Sequence, residues 1–325
     1  MQKKRERMSI EDDIRALATD RGRAVGTDGH QAARSYLLQK LQNMDMAPYL
    51  PEGFEASYES AGELYHNIVA MMPGRDPSLE PILLGAHYDT CGSFPGADDN
   101  AAAVAIILDV AAEMAHVSRD RSVVFALFDA EEPPNFLSQS MGSIRFYEDQ
   151  RLTGFHCALI LDLVGHDLPV PGLEDLLFVM GMETDYGLGE VIKDCPAGPS
   201  IRVLPTLSRY VGDMSDHHVF RVNHVPYLFL SCGTWEHYHQ PTDTPEKLNY
   251  GKIEAISRYL LAIASAISMK QLSGPFEGYD STDIELDYIH SVIYPVMAQM
   301  GRPIRVNDRR DIDWFADMMM GYLGG

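Results

Sequence analysis

No stretch of the sequence comes near the roughly 20 consecutive apolar residues of a bilayer-spanning helix. The basic start is followed by Ser9, Ile10, Glu11, Asp12 and Asp13, where a secretory signal would carry an apolar core. No membrane partner is expected, and a cytoplasmic location is. Cysteine is scarce: Cys91, Cys157, Cys195 and Cys232 form no C-x-x-C pair, and no N-x-S/T triplet occurs, so the four are read as free thiols. Basic residues are few, 26 Lys plus Arg against 47 Asp plus Glu, a net charge of −21. The one basic cluster, Lys3, Lys4, Arg5 and Arg7, sits on a short N-terminal tail. A phosphate backbone needs a basic stripe, so nucleic acid is not expected as a partner. Common catalytic signatures are missing as well: there is no H-E-x-x-H, no G-x-S-x-G elbow, no P-loop and no G-x-G-x-x-G behind a strand.

What the chain has is 325 residues, 46% of them hydrophobic and 22% charged, enough for a substantial core in one large domain or two ordinary ones. From about residue 64, short apolar runs (67–72, 81–86, 122–128, 157–163, 176–180, 226–230) alternate with helix-period stretches (27–41, 101–114, 253–267). Several runs are apolar at consecutive positions, as strands covered on both faces must be. The pattern is that of an α/β three-layer sandwich: a central, mixed but mostly parallel sheet with helices on both faces. Asp98, Asp99 and Asn100, ahead of the alanine-rich 101–114, are good helix-capping types. Gly, Pro and Ser break the pattern over 271–283. Residues 1–270 are therefore read as the main domain and 271–325 as a C-terminal helical extension packed on or beside it, with Ile289, Val292, Ile293, Val296, Met297 and Met300 on one stripe. Met318, Met319 and Met320 are read as core packing, without chemistry.

The chemistry-bearing residues stand where apolar runs end. Run 81–86 leads into His87, Tyr88 and Asp89; run 122–128 into Asp129, Ala130, Glu131 and Glu132; Asp162 ends the run from Cys157; and 226–230 leads through a loop to Tyr238 and His239. Strand carboxyl ends of an open α/β sheet converge on one crevice. Asp99, 12 residues beyond His87, lies on a turn from which a carboxylate reaches back across it. Carboxylates brought together in a crevice repel one another and resist ionisation unless a cation compensates. Two imidazoles with several carboxylates suit zinc, with manganese and cobalt as alternatives. Five ligands exceed what one catalytic zinc uses; two ions accommodate them if one carboxylate bridges.

Taken in order, HYDT (87–90), PGADDNAAAVA (95–105), DAEE (129–132), LDLVG (161–165), SDHHVF (215–220) and YHQPTDT (238–244) resemble the motifs of the zinc-dependent aminopeptidase family, over roughly residues 25–270. That superfamily also holds glutamate carboxypeptidases and animal-type glutaminyl cyclases. The resemblance implies a peptidase releasing N-terminal amino acids with two zinc ions per chain and a peptide as partner. It assigns His87 and Asp162 to one ion, Glu132 and His239 to the other, and Asp99 to the bridge. It makes Glu131 the general base, Tyr238 a residue beside the developing oxyanion, and Asp89 the carboxylate that orients His87. Asp216 falls in a family motif near the site. In relatives the peptide bond after the bridging Asp is cis.

One departure matters. Residues 133–141 separate Glu132 from Gly142 and Ser143, where the aminopeptidases reach Gly-Ser within about five residues; glutaminyl cyclases, which use a single zinc to cyclise N-terminal glutamine, also carry a longer segment there. Against the cyclase reading, those enzymes usually place Trp immediately before the last histidine ligand, where this chain has Tyr238. A third reading, a non-catalytic relative, normally entails loss of ligands, and all five are retained with Glu131. Cys91 has no identifiable base partner. His217, His218, His224 and His237 are read as packing or surface residues, and the oligomeric state is not legible.

Overall fold

All six apolar runs become strands of one nine-stranded sheet in the structure, a computed structural model that describes residues 9–323. The basic cluster Lys3, Lys4, Arg5 and Arg7 lies outside the described residues. The strands are β1 Ala47–Pro48, β2 Glu55–Ser60, β3 Glu63–Met72, β4 Ile82–His87, β5 Val123–Phe128, β6 Cys157–Leu161, β7 Leu176–Met180, β8 Arg202–Thr206 and β9 Tyr227–Ser231. Their order is β1-β3-β5-β4-β6-β9-β7-β8, with β2 also paired to β3. The middle of the sheet, β5-β4-β6-β9, is parallel. Toward the edges β3 runs antiparallel to β5, and β7 antiparallel to β9.

Side chains alternate faces along each strand, and the two faces bury separate cores. Ile82 and Leu84 of β4, with Val123, Phe125 and Leu127 of β5, join one core; Leu83, Val124, Ala126 and Phe128 join the other. The first is covered by α1 Ile10–Leu17, α2 Asp28–Asn43, α3 Ala102–Met114 and, later in the chain, a 20-residue helix at Tyr250–Met269. Buried alanines 102, 103 and 105 let α3 approach the sheet closely. The second is covered by α4 Gly142–Arg145 and by the helix His217–Val222. In chain order the helices after α4 are α5 Tyr186–Asp194, α6 Ser208–Val211, α7 His217–Val222, α8 Tyr250–Met269, α9 Thr282–Tyr288, α10 Tyr294–Gln299 and α11 Arg309–Leu323. Among the described residues, no helix is long and apolar enough to cross a membrane.

Residues after 271 form α9, α10 and α11 and share a third core with the sheet edge, where Ile289, Ile293, Val296, Ile312 and Phe315 meet Leu176 and Leu204. Of the expected stripe, Met300 falls outside this core at 41% exposure, because α10 ends at Gln299. Met318 is also exposed, whereas Met319 packs at the margin of the core.

Candidate metal centre

Adjacent strands bring the site together. His87 closes β4, Asp129 to Glu132 follow β5, Asp162 follows β6, and the loop after β9 returns with His239, so four neighbouring strand ends converge as expected of an open α/β sheet. His87 is fully buried, and its Nε2 lies 3.3 Å from Asp99 Oδ1 and 3.5 Å from Asp162 Oδ1. His239 Nε2 lies 3.2 Å from Asp99 Oδ2 and 3.0 Å from Glu132 Oε2. Asp99 thus turns one oxygen toward each imidazole. Glu131 Oε2 is 3.8 Å from His87 Nε2, beyond hydrogen-bond reach. Tyr238 and His239 line the cavity in front of these groups. The structure therefore gathers His87, Asp99, Glu131, Glu132, Asp162 and His239 around one spot and puts Asp89 directly behind.

Backbone detail aims these side chains. Ala130, Leu163 and His239 adopt left-handed conformations (φ 56°, 54° and 53°), each at or beside a candidate ligand. For residues with a Cβ such conformations cost about 1–2 kcal/mol apiece and persist where the surroundings enforce them. The Asp99-Asn100 peptide is cis. Gly96, itself left-handed (φ 59°), begins the turn; a Cβ there would stand 2.3 Å from the carbonyl oxygen of Asp99.

Asp98 and Asn100 do not cap α3 as their types suggested. The helix opens behind Ala101 with no side-chain cap, because these side chains are engaged elsewhere. Asp98 accepts from the Gly165 N–H (2.6 Å) and pairs with His166 Nδ1 (2.6 Å), and Asn100 donates to the Leu161 carbonyl (3.0 Å).

Asp89, expected to orient His87, reaches further than that, and other supports went unrecognised in the sequence. The carboxylate of Asp89 accepts the backbone N–H groups of Glu131 and Glu132 (both 3.1 Å) and lies 3.3 Å from His87 Nδ1, so one residue sets both the imidazole and the acidic loop. Asp243 accepts the N–H groups of Asp98 and Asp99 (2.9 and 3.1 Å). Asp129 pairs with His30 Nε2 (2.8 Å), which α2 delivers, and accepts from the His66 N–H (2.8 Å). Arg23, 1% exposed, donates to the carbonyls of Tyr88, Leu17, Pro95 and Gly96 at 2.6–3.1 Å. Asp243 at least lies within a recognised motif; Arg23 and His30 carried no local signal, their partners being 65 and 99 residues away.

The electrostatics are those of a site in want of cations. Burial, reinforced by Asp99 and only partly offset by His239, pushes Glu132 up to about 8. Burial also raises Glu131 well above the carboxylate range and lifts Asp162. Asp216, buried behind the site, is held at about 7 by burial with the charges of Asp162 and Asp89. Burial works against protonating His239, yet Asp99 and Glu132 outweigh it and raise the imidazole to about 10; Glu131 and Asp162 do the same for His87. Four atoms at the centre, His87 Nε2, Asp162 Oδ1, Glu132 Oε1 and His239 Nε2, are buried without a well-directed hydrogen bond. Native interiors rarely leave such atoms unpaired unless an ion or water takes the place of the partner. His87, Asp99 and Asp162 place donor atoms within 4.8 Å of one another, as do Cys91, Glu132 and His239. The residues therefore fit a divalent ion with an N/O ligand set. The Cys91 thiol, within 4.8 Å of donor atoms of Glu132 and His239, is pushed up by burial and by Glu132.

Residues 67–264 match the sequence profile of peptidase family M28, a span of more than half the chain that contains every candidate ligand. The chain belongs to peptidase family M28. The family is one of zinc-dependent peptidases, and the fold is that of its members. The chain is 28% identical over 225 residues to protein YfbL of Escherichia coli, covering 60% of this chain and 69% of that one. Among solved structures it is similar to a zinc-dependent exopeptidase from Parabacteroides distasonis (TM-score 0.63, 16% identity, 79% of this chain and 97% of the other). It is equally similar to a glutaminyl cyclase from Porphyromonas gingivalis (TM-score 0.65, 18% identity, 79% and 97%). At these identities the likeness concerns the fold. The extension that carries α9 to α11 lies outside the family-matched span.

Proposed function

We propose that this M28 peptidase releases N-terminal residues from peptides with two zinc ions, one held by His87 and Asp162, the other by Glu132 and His239, with Asp99 between them. The observation that carries this reading is the division of Asp99, one oxygen 3.3 Å from His87 and the other 3.2 Å from His239, which splits the donors into two halves sharing a carboxylate.

The choice of peptide end rests on charge. Asp167 and Glu236 join Glu131 around the cavity against one cation, Lys247, while bound ions would offset the ligand carboxylates and Arg309 offsets Glu285. Such a lining attracts a free α-amine and repels an α-carboxylate, which favours an aminopeptidase over a carboxypeptidase.

Bound zinc brings the pKa of a coordinated water to near 7 and polarises a carbonyl. Glu131 lies 3.8 Å from His87 Nε2, too far for a hydrogen bond, and burial raises its affinity for a proton: as the base it takes the proton of the attacking water and returns it to the departing amine. Asp216 adds to that affinity from behind. Burial and the charge of Asp99 keep the Tyr238 phenol protonated, so that it donates toward the carbonyl oxygen as negative charge develops. Asp89 holds the His87 ring and the Glu131 backbone in register.

Glu131→Gln tests the reading. Zinc content is expected to stay at the parent value while hydrolysis of aminoacyl-nitroanilides falls by about 10²–10⁴; hydrolysis at the parent rate refutes it. The segment 133–141 favours one alternative, cyclisation of N-terminal glutamine with a single zinc. A glutaminyl peptide yielding pyroglutamate, with one zinc per chain and no nitroanilide hydrolysis, would establish that instead.

A further inference from the structure

The catalytic residues open onto a cavity of about 1260 Å³, and part of its lining lies outside the family-matched chain. Asp99, Glu131, Glu132, Asp162 and His239 form one end. The floor is the edge of the sheet, with Phe178 and Met180 of β7, Leu204 of β8 and Phe229 of β9. A further wall is α11, through Ile312, Phe315, Ala316, Met319 and Met320.

This wall is built in. Ile312 and Phe315 are 3% and 4% exposed in the core that α11 shares with β7 and β8. Asp313 accepts from Arg209 and Tyr210 of α6, and Arg309, one turn earlier, donates to Glu285 of α9, which ties the start of the helix to both neighbours. The sequence reading missed it because a methionine run signals only apolar packing, and packing around a void has the same pattern as packing in a core.

We infer that the C-terminal extension completes a binding chamber for the apolar side chains at the amino end of the substrate, with α11 as the wall that sets its depth. The inference rests on the aminopeptidase reading above and supplies its substrate class: short peptides beginning with a large apolar residue of the leucine, methionine or phenylalanine type. The argument for this occupant is continuity, since the cavity reaches from the candidate ligands to α11 without interruption. Its volume exceeds the roughly 300–1,000 Å³ that houses drug-sized ligands, so there is room beyond a single small side chain. Met180, Met214, Met319 and Met320 give it a flexible, polarisable surface that adapts to apolar groups of different shape.

The test uses the full chain with zinc. L-phenylalaninol, which keeps the amine and the aromatic side chain but has no bond to cleave, is titrated into protein carrying ¹³C-methyl methionine. The methyl signals of Met319 and Met320, assigned by Met→Leu substitution at each, are expected to shift, whereas those of exposed Met269 and Met300 stay in place. In parallel, Ala316→Trp, which fills the chamber from its wall, is expected to lower kcat/KM for a phenylalanyl-nitroanilide by about ten-fold or more through KM, with little effect on the alanyl compound. Trp314→Ala, on the outward face of the same helix at 56% exposure, is expected to change neither. Hydrolysis with unmoved Met319 and Met320 methyls, or an Ala316→Trp enzyme that loses both substrates equally, overturns the inference and leaves the aminopeptidase reading standing. Shifted methyls without any hydrolysis support the chamber and refute the reading on which it rests. If Ala316→Trp does not fold, the methyl titration on the parent protein decides.

Discussion

Replacing Asp89 by asparagine changes few atoms and disturbs three contacts at once. The carboxylate is 1% exposed, accepts the N–H groups of Glu131 and Glu132 at 3.1 Å each, and stands 3.3 Å from His87 Nδ1. Hydrogen bonds to a charged group contribute about 1.5–3 kcal/mol each. An amide has one acceptor oxygen in place of two, so at least one bond is lost and an N–H group is turned toward a backbone N–H. The expected destabilisation is about 2–4 kcal/mol, and with roughly 2.1 cal/mol/K of unfolding entropy per residue over this chain it lowers Tm by about 3–6 °C. The His87 ring also loses the carboxylate 3.3 Å from its Nδ1, and removing such a partner from a metal-bound imidazole typically costs 10- to 100-fold in metal affinity. Competition with a chromophoric chelator gives the zinc affinity of parent and Asp89→Asn, and calorimetry gives Tm. An unchanged zinc affinity in a variant of lowered Tm would show that Asp89 merely braces the loop and does not orient a ligand.

Three further outcomes follow from the same contacts. Arg23→Met removes the side-chain donor of four carbonyls, of which those of Leu17 and Gly96 keep the N–H groups of Thr19 and Ala101, and is expected to reduce stability by about 2–4 kcal/mol in urea unfolding; a loss under about 1 kcal/mol, the usual net value of a single bond, would refute the bracing role. His217, 1% exposed and stacked on Phe229, is held at about 4 by burial, so the folded state stays neutral while the unfolded chain takes up a proton near 6.5. Stability is therefore complete above about pH 6.5 and falls by up to about 3 kcal/mol toward pH 4; His217→Phe is expected to flatten that slope, and an identical pH profile in parent and variant would refute the assignment. Zinc removal is expected to lower Tm by about 12 °C relative to protein held at roughly a thousand-fold excess over Kd, since such binding contributes about 4 kcal/mol at each of two sites. A melting curve indifferent to chelator would contradict a metal centre of these residues.

Legibility in the sequence tracked burial. Strands β4, β5, β6 and β9 read as continuous apolar runs because both their faces are covered. The edges did not: β2 reads EASYES, half of it solvated, and β8 carries Pro205, which counts against a strand in sequence yet is tolerated at the sheet margin. At the site, residues at strand ends were legible because the fold class dictates where strand ends go. Arg23, His30 and the Asp98–His166 pair were not, because a buried polar contact between distant segments leaves no periodicity to detect. Asp98 shows the difference most clearly: its residue type indicates a helix cap, and its location gives it to Gly165 and His166 instead. The pairing of α11 with the cavity was hidden for a similar reason, since apolar spacing records that a face is covered and not by what.

Diffraction at the zinc absorption edge, from crystals grown with zinc, tests the central claim most directly. Two anomalous peaks are expected, one in contact with His87 and Asp162 and one with Glu132 and His239, each touched by an oxygen of Asp99. Zinc bound elsewhere, or no peak among these five side chains, would contradict the account.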